Sequence, residues 1–211
     1  MSPYHQAAIR YKSISKTKMN REILQQYIAS ILPMPTDKSA FFAQQFEPIE
    51  FSKEELLLKE NKINKDTFVL ESGYVRSYTF NQNGEEVTTN IFSAPCFVND
   101  FLSFFKQQPT SENYQCLTHC KLWKMNFEKV QSLFHNYPEF REFGRMMLVT
   151  NYSRLHDRML GMIKDTAENR YRTLMKNHPE IFQNIPLKII ASYLGITDTS
   201  LSRIRREITS K

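Results

Sequence analysis

Leu187-Lys188-Ile189-Ile190-Ala191-Ser192-Tyr193-Leu194-Gly195-Ile196-Thr197-Asp198-Thr199-Ser200-Leu201-Ser202-Arg203-Ile204 decides how the chain is read. Pro186, just before it, suits the first turn of a helix, where a missing N–H costs nothing. Ile190 and Leu194 recur at helical spacing and predict a core-facing stripe, with Ala191 small where two helices cross. Gly195 supplies the positive φ that ends the first helix. Ile196 plugs the turn, Thr197 is a good N-cap for a second helix, and Asp198 favours its dipole. Leu201 and Ile204 anchor that helix from beneath. Its outward face is then Thr199, Ser202, Arg203 and Arg206, with Arg205 alongside. Short polar residues followed by arginines suit a helix that enters the major groove of DNA. The plainer alternative is a helical hairpin with a basic face.

Upstream of this pair, a long helix is expected after Pro138, over 138–163. Leu148, Tyr152, Leu155, Met159 and Met162 step along it by four, three, four and three, a heptad seam that points to a dimer. Residues 47–128 have a different texture. Short runs rich in β-branched and aromatic residues are separated by turn signals, and Tyr74–Phe80 and Glu86–Phe92 flank Asn83-Gly84 as a hairpin. Further strands fit Leu56–Lys59, Tyr114–Leu117 and Lys121–Met125, with no helices between them. Residues 21–46 read as two helices, the second capped by Thr36-Asp37. The expected architecture is α+β: an antiparallel, jelly-roll-like β-roll with flanking helices over 21–137, the long dimerisation helix, and a helix-turn-helix domain over 164–211.

Charge is distributed unevenly over the 211 residues, which sum to +6. Residues 1–20 carry Arg10, Lys12, Lys16 and Lys18 without an acid and read as a flexible basic arm. Residues 164–211 hold nine basic and five acidic side chains, while the body between is slightly acidic. Positive charge concentrated in one segment is the footprint of a polyanion partner. Apolar runs no longer than Leu56-Leu57-Leu58 or Met146–Val149 exclude a membrane-spanning helix. The basic N-terminus lacks an apolar stretch before a cleavage site, so a secretion signal is not expected. Cys96, Cys116 and Cys120, an odd set, read as reduced thiols of a cytoplasmic protein. No HExxH, CxxC, P-loop or GxGxxG pattern occurs, so no catalytic residues, metal or cofactor are expected.

A β-rich N-terminal half, a long dimer-type helix and this motif, in this order, resemble the CRP/FNR family of bacterial transcription regulators over about residues 25–208. Val69-Leu70-Glu71-Ser72-Gly73-Tyr74-Val75 and Asn83-Gly84-Glu85 look like that family's β-roll turns. The resemblance implies a homodimer on double-stranded DNA, Arg203 as a base-reading arginine, Ser200 as a hydroxyl on phosphate, and RNA polymerase as a further partner. Thr197, Thr199, Ser202, Arg205 and Arg206 complete the expected DNA-facing set. The family's cyclic-nucleotide members carry a Gly-Glu pair for the ribose and an Arg-Ser pair for the cyclic phosphate. This chain has Phe97-Val98-Asn99-Asp100-Phe101 in the first place and Ser111-Glu112-Asn113 in the second. An acid repels a phosphate, so a response to cyclic AMP is not expected. With no cysteine before Cys96, the four-thiolate iron–sulfur cluster of the oxygen-sensing members is excluded.

If a small-molecule effector exists, the polar candidates for its pocket in the β-roll are Arg76, Tyr78, Asn90 and Asp100. Cys116 or His119 leaves haem iron as an alternative, although with Cys120 they fit a metal-free strand end better. Two other classes stay open at this stage. One is a small-molecule sensor or protein-interaction module whose helical tail does not bind DNA. The other is a cupin-like metal enzyme, for which the β-rich region offers only His119 as a histidine ligand.

Overall fold

Asn20 accepts the Glu22 amide at 3.0 Å and so opens α1 (Arg21–Ile31), which buries Leu24 and Ile28. The structure is a computed structural model and describes residues 19–209, so Arg10, Lys12, Lys16 and Lys18 of the expected arm lie outside the described residues. The expected arm runs to residue 20, yet Met19 already packs on the N-terminal core and Asn20 is a cap. In α2 (Thr36–Gln44) Pro35 takes the capping position, and no side chain caps the helix. Thr36 is therefore its first residue rather than its cap, since Pro35 with its fixed φ and no N–H cannot continue a helix backwards.

The chain then builds eight strands: β1 (Glu47–Phe51), β2 (Leu56–Leu58), β3 (Asp66–Ser72), β4 (Tyr74–Phe80), β5 (Glu86–Ser93), β6 (Cys96–Val98), β7 (Asn113–Cys116) and β8 (Cys120–Asn126). They form two four-stranded sheets in the orders β1-β8-β3-β6 and β2-β7-β4-β5, and the pairings are antiparallel. This is the expected β-roll. The Tyr74–Phe80 and Glu86–Ser93 hairpin is present, with a register shift between Ser77 and Tyr78. Gly73, between β3 and β4, has φ +100°, and a Cβ there would sit 2.6 Å from the His119 carbonyl oxygen. Only glycine fits that crossing from one sheet to the other.

One helix interrupts the strands, against expectation. Asp100 accepts the Ser103 amide at 3.0 Å and starts α3 (Phe101–Lys106), ahead of β7. After β8 come α4 (Phe127–Asn136), capped by Asn126, and the long α5 (Pro138–Lys164), with Pro138 at its first position. The remaining helices are α6 (Ala167–Asn177), α7 (Ile181–Asn184), α8 (Leu187–Tyr193) and α9 (Asp198–Thr209).

Three apolar clusters hold these elements. Between the sheets lie Leu70, Val75, Val98, Tyr114, Cys116, Cys120 and Leu122. A second cluster joins α1, α2, α4 and the first half of α5 to the β-roll through Phe42, Phe97, Phe104, Trp123, Phe140 and Phe143. The third is the core of the C-terminal helices: Tyr171, Leu174, Ile181, Ile190, Leu194, Leu201 and Ile204, with Leu117 of the β-roll buried among them. Each such buried aliphatic or aromatic side chain contributes about 1.5–3 kcal/mol. No helix among the described residues is long and apolar enough to cross a membrane.

Candidate nucleic-acid interface

The turn between α8 and α9 is built as its residue types dictate. Gly195 has φ +67°, a backbone conformation that calls for glycine, and the end of the Met162 side chain lies where a Cβ would stand. Thr197 Oγ1 accepts the Ser200 amide at 3.2 Å and lies 2.9 Å from Thr199 Oγ1. Ile190, Ala191, Leu194, Leu201 and Ile204 are buried beneath the pair. Residues 199, 202, 203 and 206 fall at the spacing that shares one helical face. Thr199, Ser202, Arg203, Arg205 and Arg206 are exposed.

Ser200 is placed differently from the rest. It is half-buried, and its Oγ accepts a hydrogen bond from Thr197 Oγ1 at 2.9 Å. The hydroxyl is engaged within the cap rather than standing clear on the outer face. Arg203 is 71% exposed and reaches only as far as Glu207, 4.0 Å away.

Two arginines unnoticed in the sequence fix the angle of α8. Arg158 of α5 donates from Nη2 to the Tyr193 carbonyl at 3.0 Å and lies 4.6 Å above the Tyr193 ring. Arg170 of α6 donates to the Leu194 carbonyl at 3.1 Å and to the Asp165 carbonyl at 2.6 Å. Cations at the carbonyl end of a helix satisfy orphan acceptors and complement its dipole. Nothing in the local pattern announces them, because their partners lie 35 and 24 residues further on. The other wall is the β-roll itself: the Thr88 amide donates to Ser192 Oγ at 2.8 Å, Ser93 Oγ to Glu180 at 3.2 Å, and Asn184 to the Tyr74 hydroxyl at 3.2 Å.

On α5 the first half is buried through Phe140, Phe143, Gly144 and Met147. The second half presents Leu148, Tyr152, Leu155, Met159 and Met162 as exposed apolar side chains, with Tyr152 at 68% and Leu155 at 63%. Met162 also touches Gly195, so the end of the stripe meets the turn before α9.

The four polar residues expected around an effector do not converge. Arg76 and Tyr78 come together, the guanidinium 4.2 Å above the ring and bonded to Glu86 at 2.6 Å and Gln115 at 2.7 Å. Strand alternation puts them on the sheet face opposite Val75, whose side chain lies in the inter-sheet core. Asn90 Oδ1 is taken by the Ile91 amide, and Asp100 is the α3 cap. A single pocket of Arg76, Tyr78, Asn90 and Asp100 is therefore not formed. The residues that do meet on the inner side are Ser77, Thr89, Glu112 and Tyr114. Ser77 and Thr89 hydroxyls are 2.7 Å apart, Thr89 donates to Glu112, and the Tyr114 hydroxyl lies 3.3 Å from the same carboxylate. Burial, reinforced by the charges of Glu112 and Asp100, holds the Tyr114 phenol well above its ordinary range.

Elsewhere, a cavity of about 20 Å3 lies among Phe97, Phe104, Phe134, Phe140 and Gly144, with room for about one water. Among the described residues no group of three or more His, Cys, Asp and Glu side chains is arranged to hold a metal. Cys116 is fully buried, whereas His119 is exposed and 3.1 Å from Glu50, so the two do not face one site.

Comparison with known proteins agrees with the fold. Residues 48–137 match the family described as Cyclic nucleotide-binding domain. FixK2 from Bradyrhizobium japonicum superposes with a TM-score of 0.68 at 14% identity, over 78% of this chain and 85% of that one. A protein described as a transcriptional regulator of the CRP/FNR family from Eubacterium rectale gives 0.64 at 14% identity, over 86% and 88%. The c-di-GMP responsive global regulator CLP from Xanthomonas campestris gives 0.61 at 14% identity, over 90% and 92%. No curated protein sequence matches the chain.

Proposed function

From a chain that carries a cyclic nucleotide-binding-type β-roll and shares the fold of CRP/FNR regulators, we propose a homodimeric, sequence-specific DNA-binding regulator of transcription. The observation that carries this reading is the row Thr199, Ser202, Arg203 and Arg206 on α9, polar and basic, exposed, and held on a helix whose opposite face is fully anchored. Such a helix fits the major groove with Arg203 toward base edges and Arg205 and Arg206 toward phosphates. Thr199 and Ser202 lie nearer the helix start, where base edges are read, while Thr197 caps α9 and, with Ser200 in its first turn, faces the DNA backbone. The stripe on α5 supplies the two-fold contact, which would place two copies of α9 about one helical turn, ~34 Å, apart. RNA polymerase as a further partner and a cytoplasmic location follow from the same reading.

The test is selection of binding sites from a random duplex pool without added effector. A site with two-fold symmetry and half-sites about one turn apart is expected. Failure to enrich any sequence, at any salt concentration, would overturn the reading and favour a sensor or interaction module whose helices do not touch DNA.

A regulator of this kind need not answer to cyclic AMP, and the inner residues support an absence of response. Glu112 places a carboxylate where the phosphodiester would need a cation, and Thr89 and Tyr114 already occupy that carboxylate. A ligand at 100 times its dissociation constant would stabilise the fold by ~2.7 kcal/mol. No change in melting temperature is therefore expected with millimolar cyclic AMP, and a reproducible rise of several degrees would sink this part of the proposal.

A further inference from the structure

The β7–β8 connection changes sheets within three residues, Leu117-Thr118-His119, and is flanked by Cys116 and Cys120. Both cysteines are fully buried in the inter-sheet core. The two thiols influence each other's ionisation, which pushes Cys116 up and draws Cys120 down from the ordinary thiol range. The Cys120 sulfur also lies 3.3 Å from the Tyr74 carbonyl oxygen and 3.4 Å from that of Thr118. Gly73 keeps this space open, since a Cβ there would stand 2.8 Å from Cys120 Sγ.

The residue between the thiols does a separate job. Leu117 is buried in the core of the C-terminal helices, with Tyr74 and Ile91 beside it, and its amide donates to the Tyr74 carbonyl at 2.8 Å. A single turn thus carries a thiol pair on one side and, on the other, the buried apolar anchor that the β-roll sends into the helical domain.

We propose that Cys116 and Cys120 are a redox-closable pair whose disulfide alters the seating of Leu117 and loosens the C-terminal helices from the β-roll. The oxidant is a hydroperoxide, small enough to enter through the turn, where Thr118 is half-buried and His119 exposed. With hydrogen peroxide, the Cys120 thiolate attacks one oxygen, the O–O bond breaks, and the departing hydroxide takes up a proton and leaves as water. Cys116 then displaces the hydroxyl from the resulting sulfenic acid, forming the S–S bond and releasing a second water. Two thiols and one peroxide become one disulfide and two waters, and the balance is complete. Closing the pair brings the two sulfurs to a bond of about 2.0 Å, which draws together the strand ends beneath Leu117. Cys96 lies in the same core, but burial pushes its thiol up to about 12. It is the internal control.

The experiment treats the reduced full-length protein with hydrogen peroxide. It reads the peptide spanning residues 107–121, which ends at Lys121 and carries both cysteines, together with amide hydrogen exchange across α8 and α9. The expected results are a peptide lighter by two hydrogens, restored by dithiothreitol, and exchange in α8 that is faster on the order of tenfold. Cys96→Ser should respond in the same way, and neither Cys116→Ser nor Cys120→Ser should respond. Persistence of both free thiols, direct oxidation to sulfinic acid, or a disulfide without a change in exchange would each overturn the proposal. The wild-type comparison before and after reduction stands even where a serine variant fails to fold. Neither readout involves DNA, so failure here is distinguishable from failure of the DNA-binding reading.

Discussion

Leu155→Glu is expected to convert the protein from dimer to monomer in sedimentation at micromolar concentration while leaving the fold of each chain intact. Leu155 is 63% exposed on α5 and sits in the middle of the apolar stripe, flanked by Tyr152 and Met159. A heptad stripe left this open, on a helix whose first half is firmly buried, is suited to a second copy of itself. Burying a leucine contributes about 1.5–3 kcal/mol, and a two-fold axis counts each substitution twice. The loss is then roughly 3–6 kcal/mol, a dimer about 10²- to 10⁴-fold weaker, before any cost of confronting two carboxylates. Ser153→Glu adds the same charge off the seam and should remain dimeric. A Leu155→Glu variant that stays dimeric would place the two-fold contact elsewhere. Loss of the dimer should also lower affinity for a two-half-site duplex, because the second half-site is no longer held at high effective concentration.

The stripe, the β4–β5 hairpin and the α8–α9 turn are legible in the sequence for a common reason: each is specified by residues close together in the chain. Gly195 and Thr197 act on their own backbone, Asn83-Gly84 on its own turn, and a heptad on its own helix. The helix α3 carries such signals too, Asp100 ahead of it, Lys106 in its last turn and phenylalanines at 101, 104 and 105, but six residues are too few for a helical period to stand out among short strands. What stays hidden depends on distant partners. Arg158 and Arg170 are unremarkable until α8 is folded against them. The expected effector residues do not group because strand phase sends Arg76 and Val75 to opposite faces, and the register shift at Ser77/Tyr78 moves the partners across the hairpin. Glu112 reads in the sequence only as a missing arginine; its meeting with Thr89 and Tyr114 needs the sheet.

Arg203→Ala is expected to reduce discrimination between the selected site and unrelated duplex sharply while leaving the melting temperature unchanged. The side chain is 71% exposed and its nearest carboxylate, Glu207, is 4.0 Å away, so the fold loses almost nothing with it. In the major groove its guanidinium would donate two parallel hydrogen bonds to guanine O6 and N7, a contact worth about 1–3 kcal/mol per base pair. The dimer carries two copies, so the specific complex should weaken by roughly 2–6 kcal/mol, about 30-fold at the least, and non-specific binding far less. Arg206→Ala should behave in the opposite manner, lowering affinity for all duplexes alike and flattening the salt dependence by about 0.9 in slope for each phosphate no longer neutralised. Arg203→Lys separates geometry from charge, since a lysine keeps the positive charge but not the planar fork. If Arg203→Lys is as specific as the wild type, then the contact is electrostatic and Arg203 belongs with the phosphate-binding residues. If Arg203→Ala retains full specificity, the reading face of α9 lies nearer Thr199 and Ser202, and the base contacts must be assigned to hydroxyls instead.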